Sequence, residues 1–318
     1  ASSDDSLAYL ETLDAVNVVS LARNNGPAGA RNAGFLRARH DVILFQDNDI
    51  SLTDGVAEAL YQAMQQDKRI LLTVPRVVYQ ANPDIIQFEG ADCHFLGMMS
   101  LRHADVRIDQ APMEPASTSS MVSACFMIDR RRWLQQTQHP DMPLFDEDFI
   151  FNLEDHDLGV RASLLGFMIM AVPCATVLHG SGTKGLSYRP GRAVSATRMY
   201  CLIRNRWWII LRYYSLRSLL LLSPLLLAFE LLQLAGLCLK GWRREWWRAL
   251  VDTSSHFSVL CAERKVYQKQ RRRGDRDILR GGRLPLTSAM NSGPVSGFVL
   301  GLFEVIMHSY WYLARKLL

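Results

Sequence analysis

Between residues 15 and 173, short runs of β-branched and aliphatic residues alternate with stretches of helical spacing. The runs are AVNVVSL (15–21), DVILFQ (41–46), RILLTVPRVV (69–78) and FMIMAVP (167–173). Strands that alternate with helices predict an α/β fold, a largely parallel sheet with helices on both faces. Ligands of such sheets gather beyond the carboxyl ends of the strands. The segments to inspect are therefore those that follow the apolar runs: 24–34, 47–49 and the region of His179. HGSGTKGLSYRPGR (179–192) is rich in Gly, Ser and Pro and predicts a lid-like loop. A helix bearing aromatic and basic residues is expected over 193–217.

The pattern changes after that helix. LLLLSPLLLAFELLQLAGLCL (219–239) contains 21 residues, and as a helix it would extend roughly 30 Å, enough to cross a bilayer. Pro224 interrupts the run, and Ser223, Glu230 and Gln233 lie near one helical face. Basic residues flank it on both sides, which suits a helix lying in the interface of an anionic leaflet. Spanning, interfacial and buried-core readings all remain open, and the final apolar segment, 297–318, with Glu304 and His308 inside it, shares the ambiguity.

Charge sharpens this division. Residues 1–190 carry 15 Lys and Arg against 24 Asp and Glu, whereas residues 191–318 carry 21 against 7. An acidic, cation-binding half is thus joined to a half suited to an anionic surface. The basic run over 264–283 lacks a recognisable nucleic-acid module, so no nucleic-acid partner is expected. The six cysteines are scattered without a C-x-x-C pair, which points to a reducing, cytoplasmic setting. The first residues, ASSDD, have no signal-peptide character.

Four constellations carry candidate chemistry. QDNDI (46–50) ends a strand with two carboxylates, Asp47 and Asp49. They read either as an Asx turn capping the next helix or as groups that hold a hard divalent cation, which neutralises a diphosphate. NNGPAGARNAG (24–34) places small residues where a strand gives way to a helix, which serves tight packing or close approach of a ligand to backbone N–H groups. Its spacing is neither G-x-G-x-x-G nor the Walker pattern, so dinucleotide dehydrogenases and P-loop ATPases lose support. In FNLEDHDLGVRASLLGF (151–167), Glu154, Asp155 and Asp157 open a helix, either as dipole-favoured capping residues or as a source of a general base. His179 follows a strand and precedes the glycine loop, as a structural residue or as a metal or phosphate contact.

In this order the pieces resemble the family 2 glycosyltransferases of the GT-A fold, over about residues 1–192. ASSDDS resembles the turn after the family's second strand and VSACFMIDRRRW (122–133) its acceptor-side strand. The resemblance implies a Rossmann-like, mostly parallel sheet with flanking helices in a catalytic domain over 1–192, and a basic, helical, membrane-associating region over 193–318. It implies inverting transfer of a sugar from a nucleoside-diphosphate sugar to a hydroxyl of a glycan or lipid-linked acceptor. Asp155 would be the base, with Glu154 and Asp157 orienting it or the acceptor. Asn25, Gly26, Arg31, Asn32 and Asp47 would lie near the donor, and Asp49 and His179 would hold Mg²⁺ or Mn²⁺.

Two departures accompany the resemblance. The family's opening strand, helix and second strand are absent, so an N-terminally truncated fragment is expected. Ser123 or Ala124 stands where the acceptor-side strand usually has glycine. The expected role is a hexosyltransferase in surface polysaccharide or glycolipid assembly at the cytoplasmic face of a membrane. The alternatives are a nucleotidyltransferase on a similar sheet and a non-catalytic membrane-bound scaffold. A processive synthase loses support because Q-x-x-R-W is absent.

Overall fold

In the computed structural model the described residues are 4–137, 143–180, 195–282, 284 and 294–318. The loop expected over 179–192 lies outside them from residue 181 onward. The chain opens with a short helix α1 (Ser6–Glu11) and then α2 (Gly26–Arg37), β1 (Val42–Gln46), β2 (Ile50–Leu52), α3 (Val56–Gln65) and β3 (Ile70–Tyr79). Next come β4 (Asn82–Phe88), β5 (Ala91–His94), β6 (Met99–Leu101), β7 (Ala116–Thr118), β8 (Cys125–Asp129), α4 (Arg130–Thr137), α5 (Glu154–Leu164) and β9 (Met168–His179). Among the described residues that follow, the elements are helices apart from one two-residue strand: α6 (Ala196–Tyr213), α7 (Leu216–Leu239), α8 (Arg243–Ser255), α9 (Phe257–Gln270), α10 (Asp275–Ile278), β10 (Leu279–Arg280) and α11 (Pro294–Leu317).

The main sheet runs β1-β8-β3-β9-β2, with β4 added to β3 and β7 to β9. Its centre is β3, buried at every position but Tyr79, as its unbroken apolar run requires. Pro75 cannot donate to the ladder, and the pairing of β3 with β9 shifts register between Pro75 and Arg76. One face is covered by α3 through Val56, Leu60 and Met64. The other receives Phe35 of α2, Leu158 and Val160 of α5, and Trp208 and Ile209 of α6.

The α/β class, the central sheet and the flanking helices are as expected, but the strand directions are more mixed. Among the described strands of this sheet β3 and β9 run parallel, while β1 with β8, β8 with β3, β2 with β9, β4 with β3 and β7 with β9 are antiparallel. Strand–helix alternation implies parallel pairing only when successive strands become neighbours. Here α3 links β2 to β3, yet β9 lies between them. The run at 15–21 forms no strand: without a ladder partner its backbone gains nothing from extended pairing.

The hydrophobic core does not break at residue 192. Trp208, Ile209 and Tyr213 of α6 and Leu222, Leu225 and Phe229 of α7 belong to the same cluster as Phe126, Phe145 and Leu158. The helical half is therefore built onto the sheet.

Candidate active site

The turn after β1 is closed by a backbone bond from Ile50 N to Asp47 O at 3.1 Å, and Gln46 Nε2 donates to Ile50 O at 2.7 Å. Asp47 and Asp49 thus sit on a tight connection at the end of the strand. The antiparallel register pairs Ile50 with His179, which brings the second candidate ligand beside the first. His179 Nε2 lies 3.2 Å from Asp49 Oδ2, and its Nδ1 lies 2.7 Å from Gln87 Oε1. Gln87 thus holds the ring from its Nδ1 side, leaving Nε2 turned toward Asp49. Among the described residues no group of three or more His, Cys, Asp and Glu side chains is placed to hold a metal ion. The pair fits a cation that takes its remaining ligands from a diphosphate and water, the common habit of Mg²⁺.

Arg31, on α2, joins the two acidic motifs. Its Nη2 lies 2.7 Å from Asp47 Oδ1 and its Nη1 3.5 Å from Glu154 Oε1, with the guanidinium over the Phe145 ring. Nη1 of Arg31 and Oε2 of Glu154 are buried without a hydrogen-bond partner. Buried polar groups are ordinarily satisfied, so these two atoms are candidates for contact with a ligand. Gly26 opens α2 with φ at +72°, and a Cβ there would meet the Ile150 carbonyl at 3.0 Å, so a side chain would push α2 off the loop before α5. Asn25 precedes it at the helix N-terminus without a side-chain cap.

Asn32 does different work from that implied by the resemblance. Its amide nitrogen donates to Phe145 O and Glu147 Oε1, both at 2.9 Å, and its oxygen accepts from Phe145 N at 2.8 Å. The side chain is fully engaged in holding the 145–147 segment as a wall of the site.

Asp155 is buried at the start of α5, accepting from the Ser123 backbone N–H at 3.2 Å and from the His156 N–H at 2.8 Å. Ser123, at the position where glycine was expected, serves through its backbone. Burial raises the pKa of Asp155, opposed by Arg31 and the two backbone donors. Burial, with the neighbouring Asp155 charge, pushes Glu154 up to about 7. Burial therefore works against both carboxyls being ionised together.

Asp157, two residues on, faces elsewhere, as helical periodicity requires. It accepts from Tyr213 OH at 2.5 Å and lies 3.3 Å from Arg161 and 3.8 Å from Arg212. Burial raises its pKa against the opposing pull of Arg161 and Arg212. The structure does not bring it into the cluster with Arg31. It ties α5 to α6.

The loop leading into α5 contains groups that motif reasoning passed over. Ile150, Asn152 and Leu153 all have positive φ, at 60°, 62° and 65°, a costly conformation for non-glycine residues. Asn205 of α6 holds this loop, its Nδ2 donating to the carbonyls of Phe149, Phe151 and Asn152 at 2.9, 3.1 and 2.6 Å. Arg204 donates to Asp148 O, and Arg212 binds Asp146 at 2.6 Å and Glu263 at 2.7 Å. Asp146 and Glu147 lay in plain view in LFDEDF, yet nothing local tells which helix would meet them.

A family model for glycosyl transferase family 2 matches residues 1–133 of the chain. Two curated relatives are the pre-mycofactocin glycosyltransferases of Mycobacterium tuberculosis strains CDC 1551 / Oshkosh and ATCC 25618 / H37Rv, each 27% identical over 169 residues, 53% of this chain. The chain spans about a third of their length, 33%. Among solved structures, the crystal structure of GalNAc-T7 with UDP, GalNAc and Mn²⁺ matches with a TM-score of 0.46 and 17% identity, covering 62% of this chain and 36% of that one.

Proposed function

We propose that the protein transfers a hexose from a nucleoside-diphosphate sugar to an acceptor hydroxyl, with inversion at the anomeric carbon. The observation that supports this reading is the Arg31 bridge, which joins the Asp47–Asp49 turn to the Glu154–Asp155 helix start. A divalent cation, Mg²⁺ or Mn²⁺, held by Asp49 and His179 would supply charge neutralisation for the departing diphosphate. Arg31, with its unsatisfied Nη1, would meet the same developing charge, and Asp47 with the Asn25–Gly26 turn would hold the nucleotide side. Asp155, oriented by its two backbone donors, would take the proton of the attacking hydroxyl. Glu154, whose pKa burial pushes up to about 7, would help orient that hydroxyl, and Asp157 and Asn32 would position the helix and the wall.

The same reading places residues 1–192 as the catalytic part and the helical remainder as its membrane attachment. α7 is long and apolar enough to cross a bilayer by length and composition, and the helical half is basic. Assembly of a surface polysaccharide or glycolipid at the cytoplasmic face of a membrane fits both features.

The test is a panel of nucleoside-diphosphate sugars offered with and without Mn²⁺ or Mg²⁺, reading nucleoside diphosphate and pyrophosphate separately. Metal-dependent release of nucleoside diphosphate with sugar appearing on an acceptor supports the proposal. Pyrophosphate release would move the chemistry to nucleotidyl transfer, and no metal-dependent donor binding by a folded sample would leave a scaffold.

A further inference from the structure

We infer that α7 does not cross the bilayer but lies in its plane, and that α7 and α11 together form one face resting on an anionic leaflet. This rests on the membrane-attached reading above and fixes how the attachment is made. The deciding residue is Glu230, near the middle of α7 and buried. It pairs with Arg206 of α6 and accepts from Trp207 Nε1 at 3.2 Å and from Trp246 Nε1 at 2.7 Å. Arg206 directly follows Asn205, the residue that holds the loop into α5. A spanning α7 of 24 residues would put Glu230 close to the bilayer midplane and pull the loop beside Asp155 in with it. A site for charged nucleotide sugars cannot work in hydrocarbon, where each polar group left bare costs several kcal/mol.

The helix is held to the protein along its whole length. Ser215 N donates to Asp275 at 2.6 Å at one end, Leu222 and Phe229 enter the core in the middle, and Leu237 is buried at the other end. α11 docks beside it: Tyr310 OH donates to Leu221 O at 2.6 Å, and Trp311 stacks on Phe95 at 4.8 Å. Both helices turn their opposite faces outward. On α7 the outward stripe holds Leu220, Leu227 and Leu231, 69%, 62% and 60% exposed, and on α11 it holds Leu302, Ile306 and Leu313. These fall at spacings of four and seven, one mainly apolar stripe per helix, interrupted by exposed Ser223 and Ser309, whose hydroxyls bond back to Leu220 O and Val305 O.

Charge selects the occupant. Exposed Arg217 precedes the α7 stripe, exposed Lys240, Arg243 and Arg244 follow it, and exposed Arg315 and Lys316 end the α11 stripe. An apolar stripe bounded by cations is the pattern of an in-plane helix whose leucines enter the acyl boundary while its basic ends meet anionic headgroups.

The experiment uses the full chain with Cys174, Cys238 and Cys261 replaced by Ser, carrying Leu220→Cys, Leu227→Cys or Leu231→Cys one at a time. An environment-sensitive fluorophore at each site is read in phosphatidylcholine/phosphatidylglycerol vesicles holding lipid quenchers at shallow and deep positions. The three sites are expected at one shared shallow depth, about 5–10 Å below the headgroups, and leaving out phosphatidylglycerol should weaken binding at least about tenfold. A depth profile with Leu227→Cys near the midplane and the other sites shallower would overturn the in-plane inference while leaving membrane attachment standing. No quenching at any site would remove the attachment itself, and equal binding to neutral vesicles would remove the headgroup part of the inference. Donor binding by calorimetry in detergent, on the same samples, reads the transferase proposal separately.

Discussion

The sheet half and the helical half of the molecule satisfy their buried charges in different ways. In the sheet half Arg31 and Glu154 each keep a buried atom without a partner, and Glu154 is pushed up to about 7 by burial. In the helical half Glu230 collects an arginine and two indole donors, and Asp275 receives Ser215, Ser218 and Arg271. A carboxylate fully engaged by its own protein holds elements together, and one left incomplete is available to a ligand. The contrast lies in the carboxylates' partners and not in bare atoms alone, since Asp157 Oδ2, Arg206 Nε and Arg271 Nε are also buried without a hydrogen bond. α6 belongs to both, with Arg206 facing one network and Asn205 the other.

Breaking the scaffold should cost most. Arg206→Met leaves Glu230 buried with its indole donors alone, and removing one partner of a buried pair destabilises by about 3–5 kcal/mol. A denaturant melt should show that loss, with donor affinity of the folded fraction unchanged. Asn205→Ala removes the donor that holds three carbonyls of a strained loop. Turnover should fall roughly 100-fold, as displaced catalytic groups lose rate steeply, with stability and donor affinity altered much less. An equal loss in donor affinity would show that the loop serves binding instead.

Gly159→Ala probes the packing of α5, because a Cβ there would meet Ser120 Cα at 2.7 Å. Overpacking of about 1–3 kcal/mol should appear as a lower melting temperature with a smaller loss of turnover. The gentlest probe is pH. Glu154 binds its proton more tightly folded than unfolded, so its contribution to stability falls as pH rises from the ordinary carboxylate range through about 7. Glu154→Gln should flatten that slope, read as melting temperature against pH. In the intact protein, a pH–rate profile should show transfer declining once pH falls far enough to protonate Asp155, at a point above the ordinary aspartate range because burial raises its pKa.

Much of this was legible in the sequence. The apolar runs at 41–46, 69–78 and 167–173 became β1, β3 and β9, because their hydrophobicity demands burial whatever the neighbours. The two acidic motifs were visible, and the register of β2 on β9 delivered His179 to Asp49. Strand direction was less legible, since pairing depends on which distant strand becomes the neighbour. Asp157 looked equivalent to Asp155 in the string of letters, yet helical geometry turns it toward Tyr213 and Arg161. Asn32 looked like a ligand contact because no one-dimensional pattern reveals that Phe145 and Glu147 take up its amide. Asn205 was equally hidden, its three acceptors lying 53–56 residues earlier in the chain.

The most direct test of one proposed site with divided roles is Asp155→Asn, measured for donor binding and for sugar transfer on the same sample. The account predicts that metal-dependent donor affinity stays within about twofold of the parent while transfer falls by about 10²–10⁴, the range for loss of a general base. Transfer at the parental rate by a folded Asp155→Asn protein would contradict it.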